Sequence, residues 1–393
     1  MSEGVSAWGD NSNGQLGQGD TTNTAVPSPV KGLAAVRKVQ AGSGHAVALL
    51  SDGTAVSWGR NAFGQLGDGG MTNQLFPVPV KGLSSIKDIV PGGGQTLFLL
   101  EDGTVWGAGA GFFGLLGPEN LGLSPVPVKV AGISDVIDLV SGGGHALALR
   151  ADGSVWSWGR DDYGQLGDGP DPDDVPGRKL MSHADRSYWS RPLPAKVNGL
   201  HDIASLAAGG GHSVAVLTDG TMLSWGDNDR GQLGDGTMNH RPSPGAVAGV
   251  TDVVAAACAY HHTLALRKDG TILAFGINDR GQLGDGTTEH RPSAVPVAGA
   301  SQVIAVTCAG GGGEADPGKY GHSMALLRDG TVLAWGCNDH GQLGDGTTGG
   351  RLVPGPVPGL SDIAAIASGG EIPFSRENPG GGFALAVPAT SVA

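Results

Sequence analysis

A ten-residue pattern, Trp-Gly-x-Asn-x-x-Gly-Gln-Leu-Gly, returns with local variation along the whole chain. Its first glycine falls at Gly9, Gly59, Gly109, Gly159, Gly226, Gly276 and Gly336, at intervals of 50, 50, 50, 67, 50 and 60 residues. A second motif keeps step with it, ending at Asp52-Gly53, Asp102-Gly103, Asp152-Gly153, Asp219-Gly220, Asp269-Gly270 and Asp329-Gly330. A period of about 50 residues restricts the chain to a solenoid, a propeller or an array, because each unit must bury its apolar face against the next. The 72 glycines and 24 prolines among 393 residues would otherwise favour disorder. Their recurrence makes them punctuation instead.

Within one unit the runs Asp135 to Val140, His145 to Leu149 and Val155 to Trp158 are short, apolar and rich in β-branched residues, as strands are. The Asp-Gly between the second and third predicts a two-residue hairpin turn with positive φ at both positions. A fourth strand is expected at Pro77 to Val80 and Pro125 to Val128, on an outer edge where proline is tolerated. Four strands, A to D, make one propeller blade. The chain starts on a C strand (Val5 to Gly9) and finishes on an A strand (Ile363 to Ala367) and a B strand (Phe383 to Val387). Joined, these complete a seventh blade and remove the free edges of an open array. The expected fold is an all-β, seven-bladed propeller of four-stranded blades, one domain over residues 1–393.

Three segments exceed the period, near 168–192 in blade 3, 310–320 in blade 6 and 371–381 in blade 7. Strand alternation places the AB and CD loops, and so all three insertions, on one face of the disk. Function sits preferentially on loops held by a rigid scaffold, so this face is the expected recognition surface.

The motifs Gly44-His45, Asp52-Gly53, Trp58-Gly59 and Gly64-Gln65-Leu66-Gly67, repeated throughout, resemble those of the regulator of chromosome condensation repeat family. The resemblance implies a seven-bladed propeller that presents protein-binding faces. One member of that family, a nuclear exchange factor for the small GTPase Ran, uses a basic N-terminal tail on chromatin; here the first strand starts within a few residues of Met1, so no such arm is expected. Its GTPase-displacing element is an inserted loop, to which the segment from Pro170 to Arg191 is a loose analogue. A guanine nucleotide exchange role is therefore the less favoured reading. A plant UV-B photoreceptor of the family senses light through a Gly-Trp-Arg-His-Thr motif, replaced here by Gly-Gly-Gly-His or Gly-Ser-Gly-His. Trp8, Trp58, Trp158, Trp225 and Trp335 occupy the repeat slot and are read as packing between blades. A third precedent, a secreted β-lactamase inhibitor, grips its target with its loops.

Residues that break the symmetry on the insertion face are the candidates for recognition. The position before Gly-Gln-Leu-Gly reads Asn13, Phe63, Phe113, Tyr163, Arg230, Arg280 and His340, aromatic in blades 1 to 3 and cationic in blades 4 to 6. His240-Arg241, His290-Arg291 and Arg351 extend the cationic arc, and local pairing with Asp229, Asp235, Asp279 and Asp285 is the competing account. The blade 3 insertion adds His183, Arg186, Tyr188, Trp189 and Arg191, an Arg and aromatic mixture typical of binding hot spots. Blades 6 and 7 contribute Glu314, Asp316, Tyr320, Glu371, Arg376 and Glu377. An enzyme built from the three insertions is the alternative, with Glu314 or Glu371 as acid or base, or Cys337 with His340 as a nucleophile pair.

His45, His145, His212, His262 and His322 start successive B strands, with Gln95 and Phe383 in the other two blades. A hydrogen bond to backbone in each blade is expected rather than a metal site, and no cofactor is implied. Charge amounts to 24 basic against 37 acidic residues, a net of −13, which opposes nucleic acid and anionic membranes. Three cysteines are too few for a disulfide framework; Cys258 and Cys308 fall at equivalent strand A positions. No long apolar run or signal peptide is evident, so a cytoplasmic protein is expected. Its partner would be a protein or a small anionic ligand on the insertion face.

Overall fold

The computed structural model describes residues 4–169, 177–183, 186–310, 321–370 and 381–391. Seven antiparallel sheets follow one another around a ring. Blade 1 runs Val36–Ala41 (A), His45–Leu50 (B), Ala55–Gly59 (C) and Gln74–Pro79 (D). In blade 7, Ile363–Gly370 and Gly382–Pro388 supply A and B, and Ser6–Gly9 and Thr24–Pro29 supply C and D. The join is the ladder Ser6↔Ala386 to Gly9↔Phe383. The propeller and its closure are therefore as the repeat predicts. Neighbouring A strands contact one another and surround the axis. Among the described residues no helix is long and apolar enough to cross a membrane.

The core lies between blades. Trp8, Trp58, Trp158, Trp225 and Trp335 are fully buried, and each indole donates to a main-chain oxygen of the preceding blade. Trp58 Nε1 to the Gln15 carbonyl is 2.9 Å, and Trp225 Nε1 to the Gln165 carbonyl is 2.9 Å. Each cap therefore buries a large ring and leaves no polar group unmet. The glycine after each tryptophan is required. Gly59 sits at φ 96°, and a Cβ there would lie 2.6 Å from the Gly44 carbonyl oxygen.

Three local expectations are corrected. The B–C turn has a three-residue loop, with Leu50 N bonded to Thr54 O and Gly53 N to Leu50 O. Only Gly53 has positive φ (79°), while Asp52 instead accepts from Thr54 N at 2.9 Å and its hydroxyl at 2.6 Å. The D strand of blade 1 starts at Gln74, three residues before its first proline. His45, His145, His212 and His262 of the B strands each bond to a hydroxyl in the next blade, where backbone alone was expected; His45 has a backbone partner as well, Ser43 of its own blade. His45 Nε2 meets Thr96 Oγ1 at 3.0 Å, His145 meets Ser213 at 2.9 Å, His212 meets Thr263 at 2.9 Å and His262 meets Ser323 at 3.0 Å. Each of those hydroxyls then donates to the carbonyl of a Gln-Leu-Gly glutamine, such as Thr96 to Gln65 O at 2.7 Å.

The insertion face is stitched by one repeated bond from the start of the CD loop to the AB loop. Arg60 N donates to Gly44 O and Arg160 N to Gly144 O, each at 2.8 Å, and Ile277 N donates to His261 O at 2.9 Å. In blade 3 the insertion adds a fifth strand, Lys179–His183, paired to the long D strand Arg186–Lys196. The insertions of blades 6 and 7 lie mostly outside the described residues.

Candidate functional site

The C strand of blade 3 ends on Arg160, where other blades carry Asp10, Arg60, Ala110, Asp227, Ile277 or Cys337. Its guanidinium carbon lies 4.7 Å from the Tyr188 ring centre, 5.5 Å from Tyr163 and 5.8 Å from Phe113. Asp162 holds its Nε. Phe113 and Tyr188 meet edge to face at 5.2 Å, so the inserted D strand of blade 3 leans on blade 2. A cation enclosed by aromatic faces is held by the ring quadrupoles as well as by its carboxylate.

Blade 5 completes the cluster. Its AB loop carries Tyr260-His261 where blades 1 to 4 have Ser-Gly or Gly-Gly. Tyr260 reaches across blade 4, where a Cβ on Gly210 would come within 2.4 Å of its ring, so only glycine leaves it room. Burial raises the Tyr260 phenol, and the hydrogen-bonded Arg160 works against that rise. His261 packs edge to face on Tyr260 at 4.5 Å and faces Asp227 at 3.6 Å. Burial alone would raise the Asp227 carboxyl, but His261, the Asp229 amide and His240 together hold it below its ordinary value. His240 packs on Tyr163 at 5.0 Å.

The hairpin is anchored by a substitution within the repeat. In blades 1, 4, 5, 6 and 7 a buried asparagine braces the CD loop; Asn61 accepts from Leu66 N and donates to Asp68 and Gly70. Blade 3 has Asp161, which still accepts from Leu166 N at 3.1 Å but cannot donate. Arg178 takes over, 3.3 Å from the carboxylate and 2.7 Å from the Asp161 carbonyl oxygen. Burial pushes the Asp161 carboxyl up to about 6. Arg178 also covers the Trp189 ring at 5.1 Å, and Arg191 is tied to Asp168 and Ser157.

Of the residues singled out in the sequence, Phe113, Tyr163 and Tyr188 converge on Arg160, with Trp189 beside them on the same strand as Tyr188. Phe63 belongs to a separate pair with Phe112, under Arg60 at 5.3 Å. The aromatic arc is thus itself lined with guanidinium groups. Much of the expected cationic arc is neutralised in place: Arg241 pairs with Asp235 at 3.6 Å, Arg291 with Asp285 at 2.8 Å and Arg351 with Asp345 at 2.9 Å. Arg230 and Arg280 are half-buried, and Arg230 has no ion pair among the described residues. His340 lies against Gly381, and Cys337 is buried. Glu314, Asp316, Tyr320, Glu371, Arg376 and Glu377 lie outside the described residues, as do the side chains of His183 and Arg186. Arg160, Tyr260, His261 and Asp227 are the cluster members that the sequence reading missed. The loss of the glycine pair before His262 was the available signal.

Two other features have the outline of a site. Asp227, Asp229 and His240 lie close enough to share a cation. However, His240 Nδ1 already accepts from Asn228 N at 3.1 Å, and His290 repeats this brace on Asn278 N in blade 5, where Ile277 replaces Asp227. Loop bracing accounts for the arrangement. On the axis, a cavity of about 100 Å³ is lined chiefly by glycine, with Cys258, Cys308 and Tyr260 at its wall. Burial pushes the Cys258 thiol up to about 12 and also raises Cys308 well above its ordinary value.

The RCC1-like domain pattern matches residues 4–375. Short segments match curated proteins, with 41% identity over 61 residues to the human E3 ubiquitin-protein ligase HERC2 and 47% over 51 residues to the mitochondrial RCC1 domain-containing protein RUG3 of Arabidopsis thaliana. These cover 15% and 12% of this chain, and only 1% and 12% of the relatives' own lengths. Among solved structures, Prp20p of Saccharomyces cerevisiae superposes with a TM-score of 0.77 at 22% identity, over 98% of this chain and 90% of that one. Human WBSCR16 gives 0.78 at 21% identity, over 98% of both. At such identities the likeness speaks for the fold. With the family pattern running through all seven blades, the chain belongs to the RCC1-like domain family.

Proposed function

We propose that the protein is a binding scaffold whose recognition surface is the blade 2 to 5 sector of the insertion face. The observation that carries this is the convergence of Phe113, Tyr163, Tyr188 and Tyr260 on Arg160 from three blades, 2, 3 and 5. Such a cluster pre-orders large side chains before a partner arrives, which lowers the entropy cost of binding. Prp20p is described by its binding to Gsp1p and histones, an example of a similar propeller used for protein recognition. Nucleotide exchange on a small GTPase is a narrower form of this reading, supported by a blade 3 hairpin on the recognition face. An anionic ligand is a second form, for which Arg230, with no ion pair among the described residues, is a candidate cation. The enzyme alternative rests on Glu314 and Glu371, outside the described residues, and on Cys337 with His340.

The test is partner capture by the immobilised chain, followed by cross-linking mass spectrometry. Arg160→Ala with Tyr188→Ala should lose the partners that the native chain captures. Arg37→Ala with Glu101→Ala, an exposed pair on the opposite face, should keep them. Equal recovery with both double variants would refute the assignment.

A further inference from the structure

Every blade has two prolines in its D strand: Pro27 and Pro29, Pro77 and Pro79, Pro125 and Pro127, Pro192 and Pro194, Pro242 and Pro244, Pro292 and Pro296, Pro354 and Pro356. In six blades that strand is the outer edge of the sheet. Proline there removes donors and blocks the approach of another strand, so those six edges are blunted.

Blade 3 differs. The first half of its D strand, Arg186–Ser190, is paired to Lys179–His183, in register from Lys179↔Ser190 to His183↔Arg186, while Pro192 and Pro194 lie beyond this pairing. This fifth strand, Lys-Leu-Met-Ser-His, contains no proline, and its far side pairs with nothing among the described residues. Leu180 is 59% exposed, more than any other large apolar side chain among the described residues. Lys179 is exposed and makes no ion pair there, whereas the flanking cations Arg178 and Arg191 are engaged by Asp161 and Asp168. The strand is held from beneath by Trp189, whose amide donates to Asp162 at 2.7 Å and whose carbonyl accepts from Asp161 N at 2.7 Å.

We propose that Lys179–His183 is a docking edge for an extended acidic segment of a partner protein, which joins blade 3 as its sixth strand. Main-chain pairing supplies the affinity, as in other strand additions. Leu180 receives an alternate apolar side chain, and Lys179 selects a carboxylate at one end. Five residues span about 17 Å, which suits a segment of six or seven residues. Local charge complementarity selects this occupant, since Lys179 has no ion pair among the described residues and a carboxylate on the docked segment would supply one, whereas antiparallel pairing with the same strand of a second copy would set Lys179 opposite His183. The inference goes beyond the Arg160 cluster, because it concerns the open backbone edge of Lys179–His183 and can be tested with that cluster intact.

The probe is a fluorescein-labelled synthetic heptapeptide of alternating valine and threonine with a glutamate at each end, titrated against the full chain by fluorescence anisotropy. Saturable binding below about 1 mM is expected. At saturation, hydrogen exchange of the amides in residues 179–183 should slow at least about tenfold. N-methylation of the peptide's pairing amides should weaken binding by about tenfold or more. Lys179→Glu should weaken it too, and should favour a lysine-flanked version of the same peptide. Neither measurement requires a change in the strand's own backbone. No saturable binding, equal binding by the N-methylated peptide, or binding without protection of 179–183 would each overturn the proposal. So would a dimer in sedimentation that Lys179→Glu disrupts, since the edge would then serve self-pairing.

Discussion

Four histidines make this fold sensitive to acid by an amount that can be worked out. Burial pushes His45, His145 and His262 down to about 3 and His212 to about 4, against an ordinary value of 6.5. Each ring is neutral in the folded ring of blades and free to take a proton once unfolded. The unfolded chain therefore binds more protons between pH 6.5 and the folded values, and stability falls as pH falls through that window. The slope is about 1.4 kcal/mol per pH unit for each histidine, which makes about 2 kcal/mol lost per ring between pH 7 and pH 5. Four rings together lose about 8 kcal/mol, comparable with the whole stability of an ordinary domain. The informative variant is His145→Gln, because Gln95 fills this slot in blade 2, bonded to Ser141 Oγ at 3.1 Å and Gly94 N at 3.0 Å. Urea unfolding would be followed by the fluorescence of the buried tryptophans at pH 7, 6 and 5. At pH 7 the variant should be less stable by about 1 kcal/mol, the worth of one lost hydrogen bond. Since it lacks one acid-sensitive ring, its curve should cross the native one between about pH 5 and 6. Native and variant stabilities that run parallel from pH 7 to 5 would refute the reasoning.

Two further outcomes follow from the geometry. Gly210→Ala should displace Tyr260 from Arg160 and cost about 1 to 3 kcal/mol of stability by overpacking; the double variant with Tyr260→Gly should recover it, and a double-mutant cycle on urea midpoints reads the coupling. Cys308, buried, and Cys258, half-buried at the axial cavity, should resist a maleimide at pH 8 in the native protein and label fully in denaturant, because desolvation keeps both thiols protonated; rapid native labelling, read by intact mass, would contradict that protonation.

The blade count and the closure of the ring were legible because each strand is short and declared by local residues, and because the period tells where the missing half-blades must meet. Contacts across the period were less legible. The partner of His45 is Thr96, in the next blade, so no local rule could replace the backbone guess with a hydroxyl. The split into aromatic and cationic arcs compared one column of the repeat. Arg60 and Arg160 stand three positions earlier and place guanidinium groups on the aromatic side. Tyr260 was readable as the place where glycine fails to recur, but its target, Arg160, is 100 residues away in sequence. The fifth strand of blade 3 carried little β-branched signal, and register with Arg186–Ser190 is what makes it a strand.

The closing ladder of blade 7 also determines how the disk would yield to force. Ser6 lies opposite Ala386 and Gly9 opposite Phe383, so the outgoing ends of the two antiparallel strands leave from the same side. A pull applied through those ends loads one rung of the ladder at a time. The ring should therefore open at low tension, like a zipper, at the one seam where the polypeptide is not continuous, while the other six blades remain assembled.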